Sequence, residues 1–311
     1  MELLSGLQSV AATEPIVVTI GTFDGLHLGH QKILQSVIAA AKAIHGKSML
    51  LTFHPHPRRV LFPEKELQLL QTQEEKMESL KALGLDYVMV LEFDAHFAQQ
   101  SAAFFVDEIL IKHIHASQVI IGYDHQFGHS REGNIHFLKA YERQGVFQVA
   151  EIPAEQIDEV YISSSKIRHA LLDGNPALAS SFLGSPYQLS GFVVKGLQNG
   201  RKIGFPTANL RLTEQEKLIP ANGVYAISAS IQGQHYFGMM NIGWRPTVDE
   251  NKTERKIEAH FFELDLDLYD SYLTLSIHTY IRPEQKFANF EALTSQIKMD
   301  EATVRAYFAV V

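Results

Sequence analysis

Ten residues, GTFDGLHLGH from Gly21 to His30, constrain the fold of this chain more than any other stretch. They follow a short apolar run, Ile16 to Ile20, and precede the helical pattern QKILQSVIAAAKAI. An apolar run, a glycine turn and a helix make one strand–turn–helix unit. Gly21 and Gly25 let the backbone fold tightly and approach a ligand closely. The helix behind them aims unpaired N–H groups and a positive dipole end at the turn. His27 and His30 add side-chain donors at the same point. The pattern predicts a phosphate site at the carboxyl end of a strand, where an open α/β sheet binds its ligand.

The rest of the first half supports such a sheet. Apolar runs at Ser48–Phe53, Tyr87–Leu91, Gln118–Ile121 and Val146–Ile152 alternate with helical patterns near 30–44, 73–83, 101–113, 134–144 and 164–172. Alternation of this kind predicts a Rossmann-like parallel sheet covered on both faces. Gly174, Pro176, Gly184 and Pro186 then punctuate the chain, and a linker is expected over 174–187. It separates a first domain, 1–173, from a second, 188–311. Beyond it come alternating, aromatic-rich strands at Gln188–Val194, Gly223–Ile231, His235–Ile242, Lys256–Leu264 and Tyr272–Ile281. Their short spacings predict a small antiparallel β-barrel. The end of the chain reads as two helices, with Asp300 the N-cap of the last.

Bulk properties narrow the partners. A chain of 311 residues holds two cores. Its net charge of -8 and lack of a long basic run argue against a nucleic-acid backbone as partner. There is no cysteine, so no disulfide or thiolate chemistry. Neither a signal peptide nor a membrane-spanning apolar run is read, and a soluble, cytoplasmic protein is expected.

Three further polar segments follow strands on the edge that carries the histidine turn: TFHPHP at 52–57, GYDHQFG at 122–128 and ISSSKIR at 162–168. His54 and His56 have the chemistry of metal ligands, but Pro55 stiffens the backbone between them and no acidic partner is near. The loop reads better as a wall for a planar ligand. Asp124 could form an Asx turn and Phe127 could be core. One serine would cap a helix, whereas Ser163, Ser164 and Ser165 followed by Lys166 and Arg168 suit a triphosphate.

The second half holds GRKIGFPTANL at 200–210. It is not a P-loop. Gly200 and Gly204 nevertheless flank Arg201 and Lys202, which suit phosphate, and Pro206 stiffens a turn presenting Thr207 and Asn209. A hydroxyl and an amide carbonyl are oxygen ligands suited to Mg²⁺ held with a nucleotide's phosphates. In KIEAHFF, alternation points Glu258 and His260 the same way. A carboxylate is the simplest base for a substrate hydroxyl, whereas the segment by itself reads first as placing Glu258 as a solvated strand-face carboxylate.

HxGH after a first strand resembles the nucleotidyltransferase superfamily. Together with TFHPHP, GYDHQFG, ISSSKIR, GRKIGFPTANL, GVYA, MNIGWRPT, IEAHFF, DLYD and IRPEQKF, in that order, it resembles the bacterial bifunctional riboflavin kinase/FMN adenylyltransferases over about residues 14 to 308. The resemblance implies that the C-terminal barrel converts riboflavin and ATP to FMN. It implies that the N-terminal domain converts FMN and ATP to FAD and pyrophosphate. Adenylyl transfer needs no protein nucleophile; the protein positions the phosphates and neutralises charge. By resemblance, Gly21, Phe23, Asp24, His27, His30, Ser163, Ser164 and Arg168 bind ATP, with His30 and Arg168 aiding the reaction. Phe53, Pro55, His56, Pro57, Asp124 and Phe127 hold the flavin. Gly200, Arg201, Lys202, Gly204, Thr207 and Asn209 bind the kinase nucleotide, Thr207 and Asn209 with Mg²⁺, and Glu258 is the base on the ribityl 5′-hydroxyl. Departures from the family are Ser165, Trp244, Asp270 and the stretch Tyr123–Gln126. Oligomeric state stays open.

Overall fold

The computed structural model describes residues 1–7, 10, 14–153, 162–196, 200, 204–246 and 253–310. The chain divides into two compact units. One comprises Met1–Leu67 and Gln73–Ser163, the other Gln68–Thr72 and Ser164–Val311.

The first unit is built on strands β1 (Glu2–Ser5), β2 (Ile16–Ile20), β3 (Lys47–His54), β4 (Tyr87–Glu92), β5 (Ala116–Gly122) and β6 (Gln148–Ile152). They form one sheet in the order β1-β4-β3-β2-β5-β6, and every pairing is parallel. Side chains on successive strand positions point to opposite faces. Ile16, Val18 and Ile20 accordingly join one core and Val17 the other; Met49 and Leu51 separate from Leu50 in the same way. A sheet buried on both faces needs such continuous apolar runs. From the central strand β2 the order runs outward through β3 to β4 on one side and through β5 to β6 on the other. The carboxyl ends of β2 and β5 therefore form the crevice where open α/β sheets take ligands.

Helix α1 (Leu28–Ala43) starts at that crevice and buries Ile33, Leu34, Val37 and Ala41 along one face. A short strand, β1, and a short helix, Pro57–Leu61, lie where no regular element is expected from sequence. Four residues at the sheet edge are too few for a periodic signal.

The second unit is a closed barrel in the order β10-β11-β8-β7-β12-β9. Its strands are β7 (Tyr187–Val194), β8 (Ala208–Leu212), β9 (Gly223–Ile231), β10 (Gln234–Pro246), β11 (Thr253–Phe261) and β12 (Tyr272–Arg282), all paired antiparallel. The expected linker stretch, 174–187, holds a helix, Pro176–Leu183, which Asn175 caps and Pro176 starts. Proline at the first helical position is preorganised for a helix, so the punctuation marks a start rather than a gap.

The two helices expected at the end are one helix, Phe290–Val310. Asp300 is not its cap. Its carboxylate is buried and accepts from Arg282 Nε at 2.8 Å and Nη2 at 2.6 Å, and from Gln296 Nε2 at 2.9 Å. An aspartate with a buried guanidinium partner has no reason to interrupt a helix. The helix lays Val304, with Tyr307 and Phe308, over Val224, Ala226, Met239 and Phe262 on the outside of the barrel.

Candidate functional site

In the first unit, the turn between β2 and α1 is shaped by side-chain packing. Phe23 and Leu26 hold positive φ angles of 49° and 42°, and Gly25 one of 87°. The Phe23 ring is buried in the core. A Cβ on Gly21 would sit 2.8 Å from that ring, so only glycine fits there. Phe23 thus shapes the turn from below.

His27 caps α1: its Nδ1 accepts from His30 N–H at 3.3 Å. That bond puts the proton of a neutral His27 ring on Nε2. The two imidazoles stack with centroids 3.7 Å apart. His30 Nδ1 is buried and has no hydrogen-bond partner among the described residues. Burial, and after it the charges of His27 and Lys76, hold His30 well below the usual imidazole range. It is therefore neutral at physiological pH. The first turn of α1 carries no acidic residue, so nothing competes with an anion for its N–H groups. The buried Asp24 faces Lys76.

The two loops expected to hold a flat ligand share one aromatic cluster. Phe53 lies 5.9 Å from Phe97, Phe97 6.5 Å from Phe105, and Phe105 5.3 Å from Phe127. Phe127 is tied by reciprocal backbone bonds to Gly133, at 3.0 and 2.9 Å. The His54–Pro55 peptide is cis, Pro57 begins the short helix, and His56 Nδ1 accepts from Arg58 N–H at 3.1 Å. His56 is thus a cap. Asp124 is exposed. His125, which sequence reasoning passed over, has a buried Nε2 without a hydrogen-bond partner among the described residues. Burial, partly opposed by Asp124, pulls its pKa down to about 4.

Ser163 belongs to the first unit, whereas Ser164 and Arg168 belong to the second. They lie on the helix Ser164–Leu172, and Arg168 Nε donates to Gln68 O at 2.7 Å.

In the second unit the barrel register assembles a polar row. Glu258 pairs with Asn209 on one neighbouring strand and with Asn241 on the other. Directly paired residues project on the same face. Asn209, Glu258 and Asn241 are half-buried, and none has a side-chain hydrogen bond among the described residues. Their face is the outer one, which farther along carries Val224, Ala226 and Met239 under the terminal helix. His260 on the same face bonds Pro206 O at 2.8 Å through Nδ1. That contact holds the loop leading to Thr207. Gly200 supports the loop through Phe205 N→Gly200 O at 2.8 Å. Gly196 closes over Asn209: a Cβ there would lie 2.3 Å from Asn209 Nδ2. Gly204 is exposed in the loop. Arg201 and Lys202 lie outside the described residues.

Gly196, Asn241 and Lys76 escape sequence reasoning. Cross-strand register selects Asn241, and a close approach selects Gly196. The helical pattern near 73–83 does not single out Lys76, yet Lys76 is buried.

Comparison with known proteins agrees with this division. The FAD synthetase family model matches residues 9–166 and the riboflavin kinase model residues 183–308. The chain is 36% identical to the bifunctional riboflavin kinase/FMN adenylyltransferase of Escherichia coli K12, covering 100% of this chain and 99% of the relative. It is 37% identical to that of Listeria monocytogenes over 94% of this chain and 92% of the relative. Among solved structures, a Streptococcus pneumoniae protein titled a macrolide-efflux protein superposes with a TM-score of 0.88 at 31% identity, over 97% of this chain and 98% of the other. Among the described residues of this chain, no helix is long and apolar enough to cross a membrane.

Proposed function

This chain belongs to the bifunctional riboflavin kinase/FMN adenylyltransferase family, and from that premise we propose which of its residues perform each reaction. It converts riboflavin to FMN and FMN to FAD, with ATP as co-substrate of both steps. The kinase residues lie on the barrel, and the adenylyltransferase residues lie in the parallel-sheet unit except Ser164 and Arg168, which stand on the helix Ser164–Leu172.

In the sheet unit, the phosphate of FMN attacks the α-phosphate of ATP in line and pyrophosphate leaves. His27, protonated on Nε2, neutral His30 and the first N–H groups of α1 donate to the phosphates. Phe53, Pro55, Pro57 and Phe127 wall the isoalloxazine; the aromatic cluster joining Phe53 to Phe127 supports this reading. His56 fixes the start of its short helix, and Asp124 faces solvent beside the loop. For Ser163, Ser164 and Arg168, gripping the triphosphate is a role carried by family resemblance alone.

In the barrel, Glu258 takes the proton of the ribityl 5′-hydroxyl as its oxygen attacks the γ-phosphate of ATP, and ADP leaves. The observation that carries this assignment is the row Asn209–Glu258–Asn241, polar, half-buried and without a side-chain hydrogen bond among the described residues. Thr207 and Asn209 supply neutral oxygens beside one carboxylate. This set fits Mg²⁺, which keeps several waters and is bound mainly by phosphates. Mg²⁺ bound there would neutralise charge on the transferred phosphoryl group. The cytoplasm, where ATP and riboflavin meet, is the proposed location.

The test is to supply riboflavin, ATP and Mg²⁺ and to separate the flavins by chromatography. Glu258→Ala is expected to abolish FMN formation and leave FMN-to-FAD conversion intact. His30→Ala is expected to stop the chain at FMN. Loss of both activities in a folded Glu258→Ala variant, or normal FAD output from His30→Ala, overturns the assignment.

A further inference from the structure

Lys76 stands on the helix Gln73–Leu83 and is only 6% exposed. Its Nζ donates to Thr22 O at 2.5 Å and to Thr52 Oγ1 at 2.7 Å. Thr22 follows Gly21 in the histidine turn, and Thr52 lies near the carboxyl end of β3. One ammonium therefore ties together the turn, the neighbouring strand β3 and a helix. The titratable groups facing it are Asp24 from the turn, whose charge attracts it, and the neutral His30 from α1, with His27 beyond. Both hydrogen-bond acceptors are neutral, and the third N–H has no acceptor among the described residues.

Burying an ammonium is costly, and an apolar side chain would pack such a site with less loss. A cation held against neutral acceptors under a phosphate turn makes sense where a polyanion arrives. We propose that Lys76 is a positioning residue for adenylyl transfer: it holds the carbonyl of Thr22, and its charge lies beneath the turn to favour the triphosphate above. It acts through the turn and need not touch the nucleotide. This inference rests on the assignment of the turn to ATP.

A structural role and a charge role separate by proton linkage. Burial, partly opposed by Asp24, pulls the Lys76 pKa down to about 8. An arriving anion favours the charged form and raises that value. Between pH 8 and 9, ATP binding should therefore draw a proton onto the protein. The sign is uptake, because the free lysine is partly neutral there and the complexed one is charged.

The experiment is titration calorimetry of ATP into the full chain at pH 8.5, in two buffers of different ionisation enthalpy. KM for ATP in FMN-to-FAD conversion is measured beside it. Wild type is expected to take up roughly half a proton. Lys76→Met should lose that uptake and raise KM for ATP about tenfold, leaving riboflavin phosphorylation unchanged. Lys76→Arg, charged at every pH, should lose the uptake while keeping more of the affinity than Lys76→Met. If Lys76→Arg does not fold by thermal melting, Lys76→Met decides alone. Unchanged uptake or unchanged KM in Lys76→Met overturns the proposal. If Lys76→Met is silent while His30→Ala stops at FMN, only this inference fails; if His30→Ala makes FAD normally, the underlying assignment fails with it.

Discussion

Gly196→Ala probes the barrel site with a single methyl. The Gly196 backbone is not in the left-handed region, so alanine adopts its conformation without strain. The added Cβ would lie 2.3 Å from Asn209 Nδ2 and 2.7 Å from its Cγ, whereas ordinary contact begins at 3.4 Å. The obstructing group is a side-chain amide and can rotate away, so the barrel stays folded and the Asn209 amide moves by about 1 Å. Displacement of that size in a positioned group costs on the order of 100-fold in rate, or about 2.7 kcal/mol of transition-state stabilisation. The assay is FMN formation at saturating and limiting ATP, with FMN-to-FAD conversion of the same sample as control. Kinase kcat/KM is expected to fall about 100-fold, with FAD formation and melting temperature unchanged. Kinase activity within threefold of wild type would refute the reasoning. Asn209 would then have room to yield without consequence, and its placement under Gly196 would carry no functional weight.

Two further outcomes concern stability. Asp300→Ala leaves the largely buried Arg282 guanidinium without its carboxylate; breaking such a pair costs about 3–5 kcal/mol. Denaturant unfolding should show this loss, and Asp300→Asn should recover only part of it. His125 has a depressed folded-state pKa, about 4 against the model-peptide 6.5. The unfolded chain therefore binds the proton first, and its contribution to stability is full above pH 6.5 and lost as pH falls toward 4. That loss is about 3 kcal/mol. His125→Phe should flatten the acid limb of a stability–pH profile; an unchanged limb would show that His125 does not titrate this way.

Much of the architecture can be read from the sequence because its signals are local. The run Ile16–Ile20, the glycine turn and the periodic apolar positions of α1 lie next to one another in the chain. They specify a strand, a turn and a helix without reference to anything distant. The same holds for the alternation of β9 through β12, and for the motifs that carry the resemblance to the family. The signal fails where a residue's role depends on a distant partner. Asp300 has the composition of a cap, and only Arg282, brought beside it by the barrel, makes it an internal helix residue. Phe23 stands in a polar turn by sequence, and only the packing of the core shows that its ring is buried.

The sites divide along the same line. Residue types alone nominate His27, His30, Thr207 and Asn209, and the family resemblance adds Glu258, because phosphate binding and proton removal draw on few side chains. Tertiary structure decides which of them share a face and what surrounds them. Register brings Asn209, Glu258 and Asn241, far apart in sequence, into one row. Helix packing places Lys76 beneath a turn more than forty residues away. Periodicity reports which face a residue takes on its own element, whereas charge burial and hydrogen bonding depend on which elements meet. That meeting is set by the order of strands in the sheet and the closure of the barrel.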